Sequence, residues 1–420
     1  MYLTQSNVIR GLTKQEYSFL REMCEYSRNL YNVGLYNIRQ HFFANKTFLR
    51  FESNYHVCKD NENYKLLQAG VSQQVLRVVD RSFKSFFNLI KKAKSGEYRF
   101  QDIRLPKYLA KGQLFPLILS TNAISISKSK LNIPVSNAFK AKHPGIKLSL
   151  PFPEWLNGKT IKEIRILPIF NGQYFKIQYV YEAIQKNLHL NPDNALGVDI
   201  GLENLATCVS NNGTAFIVDG RKLKSINHYW NKRMAGLQSI NDKQGRKGKR
   251  TKQMNRLTMK RNNRCNDYIK KAARHIINHC IANDVGTIVV GYNEDFKRSI
   301  SFGKRTNQQF TRISFGALRE QLRTLCWRYC MVYVEQEESY TSKASLLDGD
   351  DMPVYNINRP DGEPHEFSGK RVKRGLYQAG CGRLINADCN GAGNILRKSK
   401  RKFLRPCIGL LASPQRILIA

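Results

Sequence analysis

The sequence predicts a multidomain α/β chain, and three observations predict it. Residues 13 to 97 carry apolar side chains at helical spacing, residues 98 to 187 break into short alternating strands, and from residue 188 buried strands alternate with amphipathic helices. At 420 residues the chain exceeds the usual ~100 to 200 per domain. A hydrophobic content of 41% is enough for more than one core.

Residues 2 to 10 contain a β-like run, and Thr13 followed by Glu16 reads as a capping box that opens a helix. Tyr17, Leu20, Tyr31, Leu35 and Ile38 form one helical apolar face. Val71, Val75, Val78, Val79, Phe83, Phe86, Phe87 and Ile90 form a second. Arg77, Arg81, Lys84, Lys91 and Lys92 are interleaved with that second face. Singly each reads as a solvated cation; as a set in a basic chain they read as a phosphate-facing surface. In RLPKYLAKG, Lys107 and Lys111 flank Tyr108, a combination suited to a nucleic-acid backbone or a stacked base, although Tyr108 also reads as a core residue. FPLILS, AISISKSKLNIP, IKLSLP, EIRILPIF and YFKIQYVYEA then predict a small barrel or sandwich.

Leu188 to Asn194 reads as a linker into ALGVDIGLENLAT, a buried strand that carries Asp199 into its apolar run. A carboxylate there is costly unless it is paired or binds a metal, while the plain alternative is a turn aspartate bonded to backbone N–H groups. Asn211-Asn212-Gly213 marks a hairpin turn, with AFIVDG as the returning strand. Two helical runs flank the basic loop NDKQGRKGKRTKQ. Arg256, Lys260, Arg261 and Arg264 continue the charge onto the second helix, opposite a face of Ile269, Ala272, Ala273, Ile276, Ile277 and Ile281, which suits phosphate binding. GTIVVGYNEDF and MVYVEQEESYTSKAS supply further strands. In NADCNGAGNIL, small residues let a helix start lie against a strand with Asp388 turned to whatever Asp199 faces.

Lys and Arg at 69 against 32 acids give a formal charge of +37, which calls for a polyanionic partner. The charge is spread along the chain, with no spanning segment or juxtamembrane cluster, so nucleic acid is expected in place of a membrane. MYLTQSNVIRG lacks the apolar core of a signal peptide, and an intracellular protein is expected. The ten cysteines form no Cys-x-x-Cys pair and read as buried thiols, with Cys326 and Cys330 packed at i, i+4.

ALGVDIGLENLAT and NADCNGAGNIL resemble the first and third motifs of a RuvC-type nuclease with RNase H-like architecture. With RTNQQFTRISFGALREQL, EESYTSKAS and FSGKRVKRGLY, the carboxyl half resembles TnpB, the RNA-guided nuclease family encoded by insertion sequences and related to compact type V CRISPR effectors. The resemblance implies a wedge-like β-barrel domain from residues 1–12 and 98–187 with a helical recognition domain, 13–97, inserted in it. A RuvC-like nuclease domain then covers 188–400, with a basic helical insertion and a degenerate finger segment at about 343–382, before a basic then apolar tail, 401–420.

The same resemblance implies an endonuclease with a two-Mg²⁺ carboxylate site that cuts double-stranded DNA matched by a guide RNA beside a short target-adjacent motif. Asp199 and Asp388 are the expected first and third acids. Gly291 stands where most relatives carry the second, glutamate, ligand. Glu294 and Asp295 lie beyond that strand, and Glu337 or Glu338 on the neighbouring strand is the replacement, with Glu338 favoured beside Tyr340-Thr341-Ser342. Ala344 or Ser345 replaces the finger's first cysteine, so no zinc is expected. Lys343, Lys370, Arg371 and Arg374 are expected to contact nucleic acid. The implied location is the prokaryotic cytoplasm, at the nucleoid. A nuclease-inactive RNA-guided repressor is the alternative that Gly291 favours. A guide-free transposase or resolvase also fits the charge and the acids.

Overall fold

A computed structural model of the chain describes residues 1–293, 315–354, 365–401 and 408–419. Glu294, Asp295 and the RTNQQFTRIS part of the third quoted motif lie outside the described residues. The chain divides into two compact units, Met1–Ala183 and Ile184–Ala420.

In the first unit, β1 (Tyr2–Val8) precedes α1 (Lys14–Asn45). The capping box forms: the Thr13 hydroxyl accepts from the Glu16 N–H at 3.1 Å, and the Glu16 carboxylate accepts from the Thr13 N–H at 2.8 Å. α2 (Phe51–Cys58), α3 (Glu62–Lys65) and α4 (Ala69–Lys94) follow. Then come β2 (Leu117–Ser120), β3 (Ser125–Ser127), β4 (Lys130–Asn132), α5 (Asn137–Lys142), β5 (Ser149–Pro151), β6 (Ile161–Ile169) and β7 (Tyr174–Glu182). β1 returns across the helices in sequence to pair antiparallel with β7, giving the order β1-β7-β6-β2, while β3-β4-β5 form a separate sheet. Leu20, Leu35, Val75 and Phe83 from the helices share one core with Leu119, Leu131, Phe139, Ile166 and Tyr179. That shared burial is what holds helices and strands in one unit.

The second unit is built on β8 (Ala195–Asp199), β9 (Asn204–Ser210), β10 (Ala215–Asp219), β11 (Thr287–Tyr292) and β12 (Val332–Glu337). Between them run α6 (Arg221–Lys243), α7 (Lys252–Ala282) and α8 (Phe315–Arg328). A small antiparallel sheet follows, β13 (Lys370–Lys373), β14 (Leu376–Gln378) and β15 (Leu384–Asn386). α9 (Ala387–Lys398), α10 (Ile408–Ala412) and β16 (Gln415–Ile417) end the described chain. The main sheet has the order β12-β11-β8-β9-β10-β16, with β8, β11 and β12 mutually parallel and β9 antiparallel to β8. Cys330, expected beside Cys326 in the core, is exposed: α8 ends at Arg328 and the chain turns through a positive φ of 55° at Cys330.

Alternation along β8 sorts its side chains between two faces. Leu196 and Val198 join Ile276, Ile277, Leu318 and Leu322 of α7 and α8, whereas Ala195 joins Val289 and Ile395 and Leu396 of α9. Asp199 therefore belongs to the α9 face. Gly197, between Ala195 and Asp199 on that face, permits the approach: a Cβ there would collide with the Ala392 carbonyl oxygen and come within 3.1 Å of the Leu396 Cβ. Backbone has nowhere to retreat at a helix–sheet contact. Gly197→Ala is accordingly expected to destabilise this unit by about 1–3 kcal/mol, read by chemical denaturation. An unchanged midpoint would show that α9 does not lie this close.

Candidate active site

Asp199 closes β8 at the carboxyl ends of the parallel strands, the usual location of sites in open α/β sheets. Asp388 sits in the first turn of α9, where the Asn386 side chain caps the helix by accepting from the N–H groups of Asp388 and Cys389 at 3.0 and 3.2 Å. One turn on, a Cβ at Gly391 would lie 3.0 Å from Asp199 Oδ2, so the bare glycine lets the helix cover that carboxylate.

Glu338 arrives from the other side. A Cβ at Gly291 would stand 2.7 Å from Glu338 Oε2 and 2.6 Å from Ile395 Cδ1. The Glu338 carboxylate thus fills the space in which a side chain at position 291 would begin, and the two exclude each other. Glu337 goes elsewhere: it accepts from Lys398 Nζ at 2.5 Å and from the Ser339 N–H at 2.6 Å. β12 ends at Glu337, so strand alternation does not extend to Glu338. Their separation comes instead from the Lys398 pairing and the turn that follows.

Two buried asparagines that the sequence reading passed over hold that turn in place. Asn390 donates to the Ala344 carbonyl at 2.8 Å and accepts from the Leu346 N–H at 2.9 Å. Asn394 donates to the carbonyls of Thr341 and Ala344 at 2.9 and 2.7 Å. Asparagine repeated at i, i+4 among glycine and alanine is the signal that was available. Such residues are poor helix formers and need a reason to be there.

The electrostatics of the three acids are coupled. Burial first, then the charges of Glu338 and Asp388, push Asp199 up to about 8, with Arg371 opposing. Burial and the Glu337 charge raise Glu338. Glu337 lies below its ordinary value, because the bonds from Lys398 and Ser339 outweigh the raising effect of burial. Asp388 accepts from Asn204 Nδ2 at 2.5 Å and stands 3.7 Å from the Arg371 guanidinium. Asp199 and Asp388 line a cavity of about 920 Å³ together with Glu203, Asn204 and the arginines 221, 371, 374 and 416.

All three acids offer oxygen only, the donor type that hard divalent cations prefer. Repulsion of Asp199 by Glu338 and Asp388 is what such a cation would relieve, so the donor chemistry fits Mg²⁺. Among the described residues, however, no group of three or more His, Cys, Asp or Glu side chains stands ready to hold one ion. Asn204 and Arg371 occupy Asp388 instead.

The remaining expected contacts are scattered. Arg371 and Arg374 from the β13–β14 hairpin reach the cavity, Arg374 pairing with Glu203 at 2.9 Å. Lys343 and Lys370 are exposed, as are Arg256, Lys260 and Arg264 on α7. Arg261 is not presented to solvent in the same way: it donates to Asn227 at 2.7 Å and lies over the Trp230 ring. In the first unit Arg77, Arg81, Lys84, Lys107 and Lys111 are exposed, with Arg77 over the Phe51 ring and Lys84 paired to Asp80 at 2.8 Å. Tyr108 is exposed beneath the Arg39 guanidinium, 4.8 Å away, which removes the core reading of that residue.

A carboxyl raised from 3.8 to about 8 in the folded state keeps its proton where the unfolded chain has lost it. Its contribution to stability is full below about pH 4 and declines as pH rises towards 8. At pH 8 without divalent cation, Asp199→Asn is expected to be more stable than the parent by more than about 1 kcal/mol, with the difference shrinking in acid. Equal denaturation midpoints at pH 5 and pH 8 would contradict the coupling.

The sequence model of a family described as a probable transposase, OrfB of IS605, matches residues 178–297. The chain is 22% identical over 421 residues to the TnpB-like protein ORF457 of Acidianus two-tailed virus, a match covering 94% of this chain and 86% of that protein. Its fold is similar to the protein in a cryo-EM structure of a Cas12f1–sgRNA–target DNA complex, with a TM-score of 0.56, 15% identity, and 92% and 83% of the two chains covered. That likeness shows a shared multidomain α/β fold. Among the described residues no helix is long and apolar enough to cross a membrane. The chain is thus similar to a transposase family model over residues 178–297 and, along most of its length, to a TnpB-like protein.

Proposed function

We propose that the chain is an RNA-guided DNA endonuclease in which Asp199, Glu338 and Asp388 would hold Mg²⁺. The observation that carries the reading is Asp199, which feels the charges of both Glu338 and Asp388 and shares with Asp388 a cavity lined by arginines. Such repulsion is kept in a fold when it has a use. When bound, the metal supplies an activated water and neutralises charge on the departing 3′ oxygen of a phosphodiester.

The protein's own part is positioning. α9 holds Asp388 over Asp199, the Asn390 and Asn394 bonds hold the turn carrying Glu338, and arginines bind the phosphates of the strand to be cut. Asn204 and Arg371 orient the Asp388 carboxylate, which would offer its remaining lone pairs to the cation. The exposed cations of both units bind guide RNA and the guide–target duplex through backbone phosphates, so base pairing supplies sequence specificity. The helical and strand portions of the first unit read the target-adjacent motif.

A second reading, the nuclease-inactive repressor, draws on the engagement of Asp388 by Asn204 and Arg371 and on the bare Gly291. Cleavage separates the two. Asp199→Ala, Asp388→Ala and Glu338→Gln are each expected to lower Mg²⁺-dependent cleavage by more than about 100-fold, with RNA affinity nearly unchanged. Glu337→Gln is expected to stay near the parent, because its carboxylate serves Lys398. Parental cleavage by the Glu338 variant, with loss in the Glu337 variant, would reverse the assignment. A parent that binds guided targets and never cuts them would support the repressor.

We propose as well that folding needs no zinc. Asp348 accepts from the N–H groups of Gly380 and Cys381 at 2.6 and 2.9 Å, and Asp350 from those of Ser345 and Ser368 at 2.8 and 3.0 Å. These carboxylate bonds tie the two ends of the finger-like segment together. One stoichiometric zinc per purified chain, by elemental analysis, would contradict this.

A further inference from the structure

β10 ends at Asp219, whose side chain is only 5% exposed. A carboxylate so buried needs cations. It has two: Arg221 Nε and Arg416 Nη1 each donate to Asp219 Oδ1 at 2.7 Å, and the Arg221 N–H donates to Oδ2 at 3.1 Å. Arg221 opens α6, while Arg416 comes from β16, whose parallel pairing with β10 sets Arg416 opposite Ile217. Neither arginine was singled out by the sequence, and the tail that supplies Arg416 had no functional reading.

The trio carries one surplus positive charge. Both arginine side chains remain accessible, at 61% and 38%, and both residues line the cavity that contains Asp199 and Asp388. Each guanidinium has five N–H donors in a planar fork, and one nitrogen of each is engaged with Asp219. Planar forks of this kind match phosphate oxygens two at a time. The Asp219 carboxylate removes the freedom of both side chains, so little order is lost when a phosphate arrives.

We propose that Arg221 and Arg416, held by Asp219, form a phosphate subsite that grips the backbone of the DNA strand entering the cleft, which makes the carboxyl-terminal strand β16 a working part of the site. The inference rests on the nuclease reading of that cleft. It assigns these arginines to binding and positioning, not to the chemical step.

Arg221→Ala, Arg416→Ala and Arg416→Lys, made in the full chain, test it. Binding of short single-stranded DNA and RNA oligomers is followed by fluorescence anisotropy across a salt series. Each alanine variant is expected to weaken DNA binding and to flatten the log–log salt slope by about 0.7, the loss of one phosphate contact. Arg416→Lys keeps a cation for Asp219, so it folds even if the alanine variant does not. It is expected to retain the slope while losing part of the affinity with the fork. In cleavage assays the half-saturating DNA concentration should rise while the maximal rate stays within about twofold.

Unchanged DNA binding, weakening confined to RNA, or a lower maximal rate at an unchanged half-saturating concentration would each overturn the subsite. If the parent proves unable to cut DNA with any divalent cation, the nuclease reading fails. The comparison of oligomer binding still decides the subsite in that case.

Discussion

A helix laid directly on a strand is the contact on which the second unit depends. α9 meets β8 backbone to backbone at Gly197 and Ala392, and the bare Gly391 lets it pass over the Asp199 carboxylate. That one helix then sets the other acids. It carries Asp388 in its capped first turn, ties down the segment after Glu338 through Asn390 and Asn394, and draws Glu337 aside with Lys398. Any residue larger than glycine at 197 or 391 acts on all three carboxylates at once.

Close packing creates a charge problem that the surroundings answer in part. Asp199 is raised because it is buried among other acids, whereas Asp388 has an amide and a guanidinium to hold it. Around this acidic centre the cavity is lined with arginines, and the chain as a whole carries +37. Negative centre and positive rim suit a polyanion that must be brought close to carboxylates which, unaided, would repel it. A divalent cation between them would reconcile the two.

Much of the architecture was legible. The capping box at Thr13, the hairpin at Asn211-Asn212-Gly213, the strand of Asp199 and the small-residue start of α9 all show in local pattern, because each follows from backbone geometry within a few residues. The pairing of β1 with β7 was not legible, since nothing local marks a partner more than 160 residues away. The same limit hid Arg416, whose role comes from a tail strand finding the edge of β10. Asn204 was hidden too, because an asparagine beside a strand gives no sign of the aspartate it will meet. Glu337 and Glu338 were legible as a pair of candidates, and the structure sets Glu338 against Gly291. What separates the pair, Lys398, lies sixty residues downstream on another element.

The proposed site would have Asp199, Glu338 and Asp388 hold a divalent cation in common. Anomalous scattering from Mn²⁺, used in place of Mg²⁺ in crystals of the nucleic-acid-bound protein, addresses it most directly. The account predicts a peak within coordination distance of carboxylate oxygens from all three residues. A peak that touches Asp199 and Asp388 but leaves Glu338 beyond reach, or no peak in the cleft at saturating Mn²⁺, would contradict it.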